Sequence, residues 1–130
     1  MTAPPPPLVV VDAANVVGSV PDGWWRDRHG ATERLRDRLA AARGTGGGLA
    51  GVAEPLELVL VVEGAARGVA PVPGVRVVAA PASGDDAIVA LVTAEGAGRP
   101  VVVVTADRGL RHRVGERGAS VVGPRLLPRS

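Results

Sequence analysis

Apolar residues in this chain come in short, bounded runs separated by amphipathic or polar stretches. Residues 8–11 (Leu-Val-Val-Val) lie between a proline run and Asp12, and their β-branched side chains predict a buried strand. Similar runs over 56–62, 75–79, 100–104 and 119–122 predict further strands. Only Glu57 and Arg76 break their apolar character, which suits a sheet covered on both faces. Over 31–43 the period changes. There Leu35, Leu39 and Ala42 share one helical face, and Glu33, Arg34, Arg36, Asp37 and Arg38 fill the rest. A second helix is predicted over 84–96, with Ile88, Leu91 and Val92 apolar, and a short third over 107–117. Gly, Pro, Asp and the pair Trp24 and Trp25 make 16–28 a predicted loop or short helical turn. The Gly-rich stretch 44–51 reads as a flexible connection, Pro4 to Pro7 as a stiff lead-in, and 124–128 as a tail.

Strands alternating with helices imply parallel pairing through right-handed crossovers. The expected architecture is α/β, a single three-layer α/β/α domain over 8–130 behind a Pro-rich lead-in over 1–7. Its centre is a mostly parallel five-stranded sheet. No internal repeat is visible.

Composition narrows the chemistry. At 130 residues the chain suffices for one domain with its own core. Without Cys, disulfides, zinc–thiolate sites and thiol nucleophiles are excluded, and His29 and His112 do not stand in a zinc spacing. No apolar run approaches the roughly 20 residues that span a bilayer, so no membrane partner is expected. The N-terminus lacks the charged and apolar regions of a signal peptide, and a cytoplasmic location is the expectation. All 15 basic residues are Arg, Phe and Tyr are absent, and the formal charge is only +2. A GC-rich coding bias accounts for much of this usage. Arg nevertheless binds phosphate bidentately and stacks on bases, so a nucleic-acid partner fits. Trp24 and Trp25 are the aromatic rings left for stacking, although a lid over the core is the plainer role for them.

The candidate chemistry lies in acids placed just beyond predicted strands: Asp12, Glu63 and Asp107, with Asp85 and Asp86 opening a helix. In a parallel sheet the carboxyl ends of the strands share one edge, where ligands bind. Acids gathered there repel one another unless a divalent cation stands among them, which points to Mg²⁺ or Mn²⁺ and to phosphate chemistry. Each acid also has a local role open to it. Asp12 suits a turn, Ser83 and Asp86 approximate a capping box, and Asp107 suits a helix N-cap.

Other motifs fall away. The glycine pattern from Gly46 to Gly51 follows a helix and precedes a strand, the reverse of a dinucleotide-binding context. The absence of Lys excludes a standard P-loop. A Toprim-type site would need an Asp-x-Asp after Glu63-Gly64, and a haloacid-dehalogenase-like site a second Asp where Ala14 stands. His112, beside Arg111 and Arg113, reads as a solvated residue.

Three motifs in order carry a resemblance: Val10-Val11-Asp12-Ala13-Ala14-Asn15-Val16-Val17-Gly18, Asp85-Asp86-Ala87-Ile88, and Val103-Val104-Thr105-Ala106-Asp107-Arg108. The set resembles the NYN branch of the PIN-like nuclease fold and looks most like its small bacterial YacP-type members. Asp12, Asn15, Asp85 and Asp107 fall on the family's motif positions, with Asp86 on the adjoining one. The family's Asp-Gly is Asp12-Ala13 here, and its second-strand Asp-Gly is Glu63-Gly64. The resemblance implies a metal-dependent ribonuclease acting on single-stranded or structured RNA. In it Asp12, Asp85, Asp86 and Asp107 would hold Mg²⁺ or Mn²⁺, and Glu63 would join or border them. Asn15 would orient an acid, a water or a phosphate oxygen, and Thr105, Arg108, Arg26 and Arg28 would meet the substrate. A PIN-like module that binds RNA or a protein without cutting is the alternative. No motif specifies a homodimer or association with the ribosome.

Overall fold

The computed structural model describes residues 3–128. Leu8–Asp12 (β1) is the middle strand because it is apolar on both faces, and all five of its residues are buried. Around it stand Glu57–Val62 (β2), Arg76–Ala79 (β3), Val101–Val104 (β4) and Ser120–Val122 (β5), in the order β3-β2-β1-β4-β5. Every pairing is parallel, so the sheet expected to be mostly parallel is wholly so.

Alternation along the strands divides the core in two, since successive side chains leave opposite faces. Val9, Val11, Leu58, Leu60 and Val62 face Ala13–Gly18 (α1) and Arg28–Gly44 (α2), which contribute Val16, Leu35 and Leu39. Leu8, Val10, Val59, Val61 and Val103 face Gly84–Glu95 (α3) and Arg108–Gly115 (α4), which contribute Ile88, Leu91, Val92, Leu110 and Val114. Each fully buried Leu or Val stabilises the fold by roughly 1.5–3 kcal/mol, so these two layers hold the sheet without aromatic residues.

Several segments differ from the sequence expectation. α1 begins directly after β1, ahead of the loop or short helical turn expected over 16–28, and it buries Ala13, Val16 and Val17. The rest of that segment holds a 3-10 turn, Trp24–Arg26. α2 starts three residues earlier than the apolar period implied, because Asp27 caps it: its Oδ1 accepts the Gly30 N–H at 2.9 Å. The Gly-rich connection is fixed in place, with Leu49 and Ala50 buried against the α1/α2 core and Leu49 and Val52 exchanging backbone bonds of 2.8 Å. The proline lead-in, for which an ordered edge and a frayed tail were both open, is an ordered edge. Pro7 O accepts the Glu57 N–H at 2.8 Å, and Pro6 O accepts from Arg99 Nε at 2.7 Å. In the tail, Leu127 is buried in the core.

The amino edge of the sheet is closed by paired arginines. Arg43 donates to both oxygens of Glu54 and to the carbonyls of Leu56 and Gly74. Arg76 forms a bidentate pair with Glu95, and Arg99 pairs with Glu57. Among the described residues no helix is long and apolar enough to cross a membrane.

Candidate functional site

Asp12 is the last residue of β1 and the N-cap of α1, so its carboxylate is held where the central strand meets the carboxyl edge of the sheet. It is only 3% exposed. Thr105 Oγ1 donates to its Oδ2 at 2.9 Å, and the Asn15 N–H reaches Oδ1 at a long 3.5 Å. Burial pushes the Asp12 carboxyl from 3.8 up to about 6. The Thr105 and Asn15 bonds pull it down, and the charges of Asp85 and Glu63 push it further up.

Asp85 lies in the first turn of α3. Its pKa is raised by burial first, then by Asp107 and Glu63, while Arg113 opposes the rise. Asp12 thus feels Asp85 and Glu63, and Asp85 feels Glu63 and Asp107, although the four come from separate stretches of chain. Glu63, left between joining and bordering the site, stands within this group. Its Oε2 accepts the Gly84 N–H at 3.1 Å, and a Cβ at Gly84 would lie 2.8 Å from Oε1. Gly84 is thus the residue that lets the Glu63 carboxylate dock on the start of α3.

Asp107 is both a member of the group and a cap. Its Oδ1 accepts the Leu110 N–H at 2.9 Å and starts α4. Thr105 is 1% exposed and its hydroxyl is committed twice, donating to Asp12 and accepting the Asp107 N–H at 3.1 Å. Expected at the substrate, it instead sets the Asp12 carboxylate from inside. Asn15 ties the loops together, its Oδ1 accepting the Ala106 N–H at 2.8 Å. The carboxamide thereby fixes the β4–α4 loop that carries Asp107, and the Asn15 backbone N–H, not its side chain, addresses Asp12.

Asp86 departs from the expectation. Neighbouring helix positions point in directions about 100° apart. Asp85 turns toward the group, whereas Asp86 is exposed and pairs with Arg113 at 2.9 Å. Its N–H binds Ser83 Oγ at 3.1 Å, the cap read from the sequence. Arg113 is a site neighbour that no local motif revealed, since 27 residues separate it from Asp86. Among the described residues no three carboxylate or imidazole groups stand close enough to hold one ion between them. The acids converge as a loose group and do not form the closed ligand set that the resemblance implied.

Arg108 is exposed at the first position of α4. Arg26 and Arg28 lie over the rings of Trp25 and Trp24, at 5.9 and 5.3 Å from the ring centroids. Trp24 packs against the α1/α2 core as the expected lid, but Trp25 is 56% exposed.

No family model matches the sequence, and no curated protein matches it. Two crystal structures of Rae1 (YacP) from Bacillus subtilis, one of them a tryptophan-to-leucine mutant, are similar to this chain. The unmutated form has a TM-score of 0.71 and the mutant 0.69, each at 18% identity over 92% of this chain and 70% of its own. At that identity the likeness is one of fold, and the fold of this chain is PIN-like.

Proposed function

We propose that this chain is a ribonuclease that hydrolyses phosphodiester bonds with the help of Mg²⁺ or Mn²⁺ at the carboxyl edge of its sheet. One observation carries the reading: Asp12, Glu63, Asp85 and Asp107 converge there, and burial and neighbouring carboxylates raise the pKa of Asp12 and of Asp85. A fold gains nothing from that repulsion, whereas a divalent cation would relieve it. The donors are all carboxylate oxygens, the set that suits a hard cation. Asp12 and Asp85 would hold it, with Glu63 and Asp107 beside them. When bound, such an ion activates water and stabilises the leaving oxygen.

The chain's own groups supply the rest. Thr105 orients Asp12, and Asn15 holds the loop of Asp107 in place. Three arginines support an anionic polymer as substrate. At the amino edge Arg43, Arg76 and Arg99 are paired with carboxylates, but Arg26, Arg28 and Arg108 have no carboxylate partner among the described residues. These three would neutralise phosphates on either side of the bond being cut. The PIN-like fold shared with Rae1 (YacP) supports the same reading.

The test is incubation of end-labelled single-stranded RNA with the protein in Mg²⁺ or Mn²⁺, beside EDTA and the variants Asp12→Asn and Asp107→Asn. Cutting that needs metal and is lost in both variants is the expected result. Turnover unchanged in either variant would remove that residue from the site. RNA bound yet uncut under every condition would make the chain a binding module.

A further inference from the structure

Beside the acid group lies a cavity of about 270 Å³, lined by Ala13, Ala14, Trp24, Arg28, Glu63 and Gly64 among others. It shares Glu63 with the acid group, and Ala13 directly follows Asp12. The alanines and the glycine keep its walls low. Its polar lining consists of Glu63, Arg28 and Thr32, and the Thr32 hydroxyl is already bonded to Arg28 O at 2.8 Å. The volume is near the lower end of small-molecule sites, enough for one planar ring and too small for a length of chain.

Its aromatic wall is unusual for this protein. The chain has two Trp and no Phe or Tyr, so its core is built from Leu, Val, Ile and Ala. Both aromatic rings stand in one short turn, of which Trp24 lines the cavity, packed edge to face at 6.0 Å, and each has an arginine over it. A lid alone would need only an aliphatic side chain. Indole and guanidinium planes are the surfaces on which unpaired bases stack. The Glu63 carboxylate offers an acceptor for the N–H groups of a base edge.

We propose that this cavity is a nucleobase subsite, in which Trp24 and Arg28 stack an unpaired base of the nucleotide next to the phosphodiester held at the acid group. This inference rests on the ribonuclease reading for its location, but binding of the base needs neither metal nor cleavage. The ligand class is therefore single-stranded RNA with a base free to leave its stack. A paired duplex would first have to release that base.

The test uses the indole N–H resonances of the ¹⁵N-labelled protein, one from each Trp, assigned with Trp25→Leu. Adenosine 5′-monophosphate and ribose 5-phosphate are titrated separately in EDTA. The nucleotide is expected to shift the Trp24 resonance saturably, ribose 5-phosphate to leave it in place, and Arg28→Ala to weaken nucleotide binding about tenfold. Equal effects of the two ligands, or Arg28→Ala binding like the parent, would overturn the subsite. The RNA-cutting assay separates the two claims. Cutting without base-dependent shifts refutes the subsite alone, and base-dependent shifts without cutting refute the ribonuclease reading alone.

Discussion

At the scale of single residues the decisive fact is the cost of an ionised Asp12. Its folded pKa of about 6 lies above the ordinary 3.8. The stability linked to this group is therefore fully present below 3.8 and lost as the pH rises through 6. A rise of this size corresponds to at most about 3 kcal/mol above neutral pH. Asp12→Asn removes the charge and keeps an oxygen that can accept from Thr105. In EDTA at pH 8 the variant is expected to unfold at a higher temperature than the parent, by the equivalent of about 1–2 kcal/mol. Near pH 4 the difference should vanish. Calorimetric melts across that range check it, and a variant that is less stable at pH 8 would mean that Asp12 serves the fold. Much of this was visible in the sequence, since Asp12 and Asp107 each stand at the end of an apolar run. The division between Asp85 and Asp86 was visible in part, through the Ser83 and Asp86 cap, but the Arg113 partner was not, because it comes from a distant helix.

At the scale of elements, the site is assembled by junctions: β1 into α1, β4 into α4, and β2 onto the start of α3. The strands and long helices were legible because period and boundaries agreed. α1 was hidden by its length of six residues, too short for an amphipathic period, and it depends on the Asp12 cap and on burial of Val16 and Val17. The Gly-rich connection looked mobile because glycine dominates it, yet Leu49 and Ala50 anchor it. The β2–α3 junction turns on Gly84. In Gly84→Ala, better helix propensity offsets up to about 1 kcal/mol, while the displaced Glu63 bond costs about 1.5 kcal/mol or somewhat more. A net loss near 1 kcal/mol is expected, together with weaker metal-dependent cutting. Urea unfolding and the RNA assay check the two parts. Cutting at the parental rate would show that the docked position of Glu63 is irrelevant to the site.

At the scale of the molecule, charge is divided between the two edges of one sheet. The amino edge holds neutralised arginines, where Arg43 and Arg76 lower the pKa values of the Glu54 and Glu95 carboxyls. The carboxyl edge holds acids that repel one another, with one neutralised pair, Arg113–Asp86, and arginines stacked on indole or turned to solvent nearby. The first arrangement stabilises the fold. The second suits the proposed cation and anionic substrate. The most direct test is a calorimetric titration of Mn²⁺ into the protein at pH 7.5 and at pH 5, with Asp12→Asn alongside. Saturable binding is expected at pH 7.5, much weaker binding at pH 5 where Asp12 is protonated, and loss of binding in the variant. No binding at pH 7.5, or binding indifferent to both pH and the Asp12 substitution, would contradict a cation site at the meeting point of these acids.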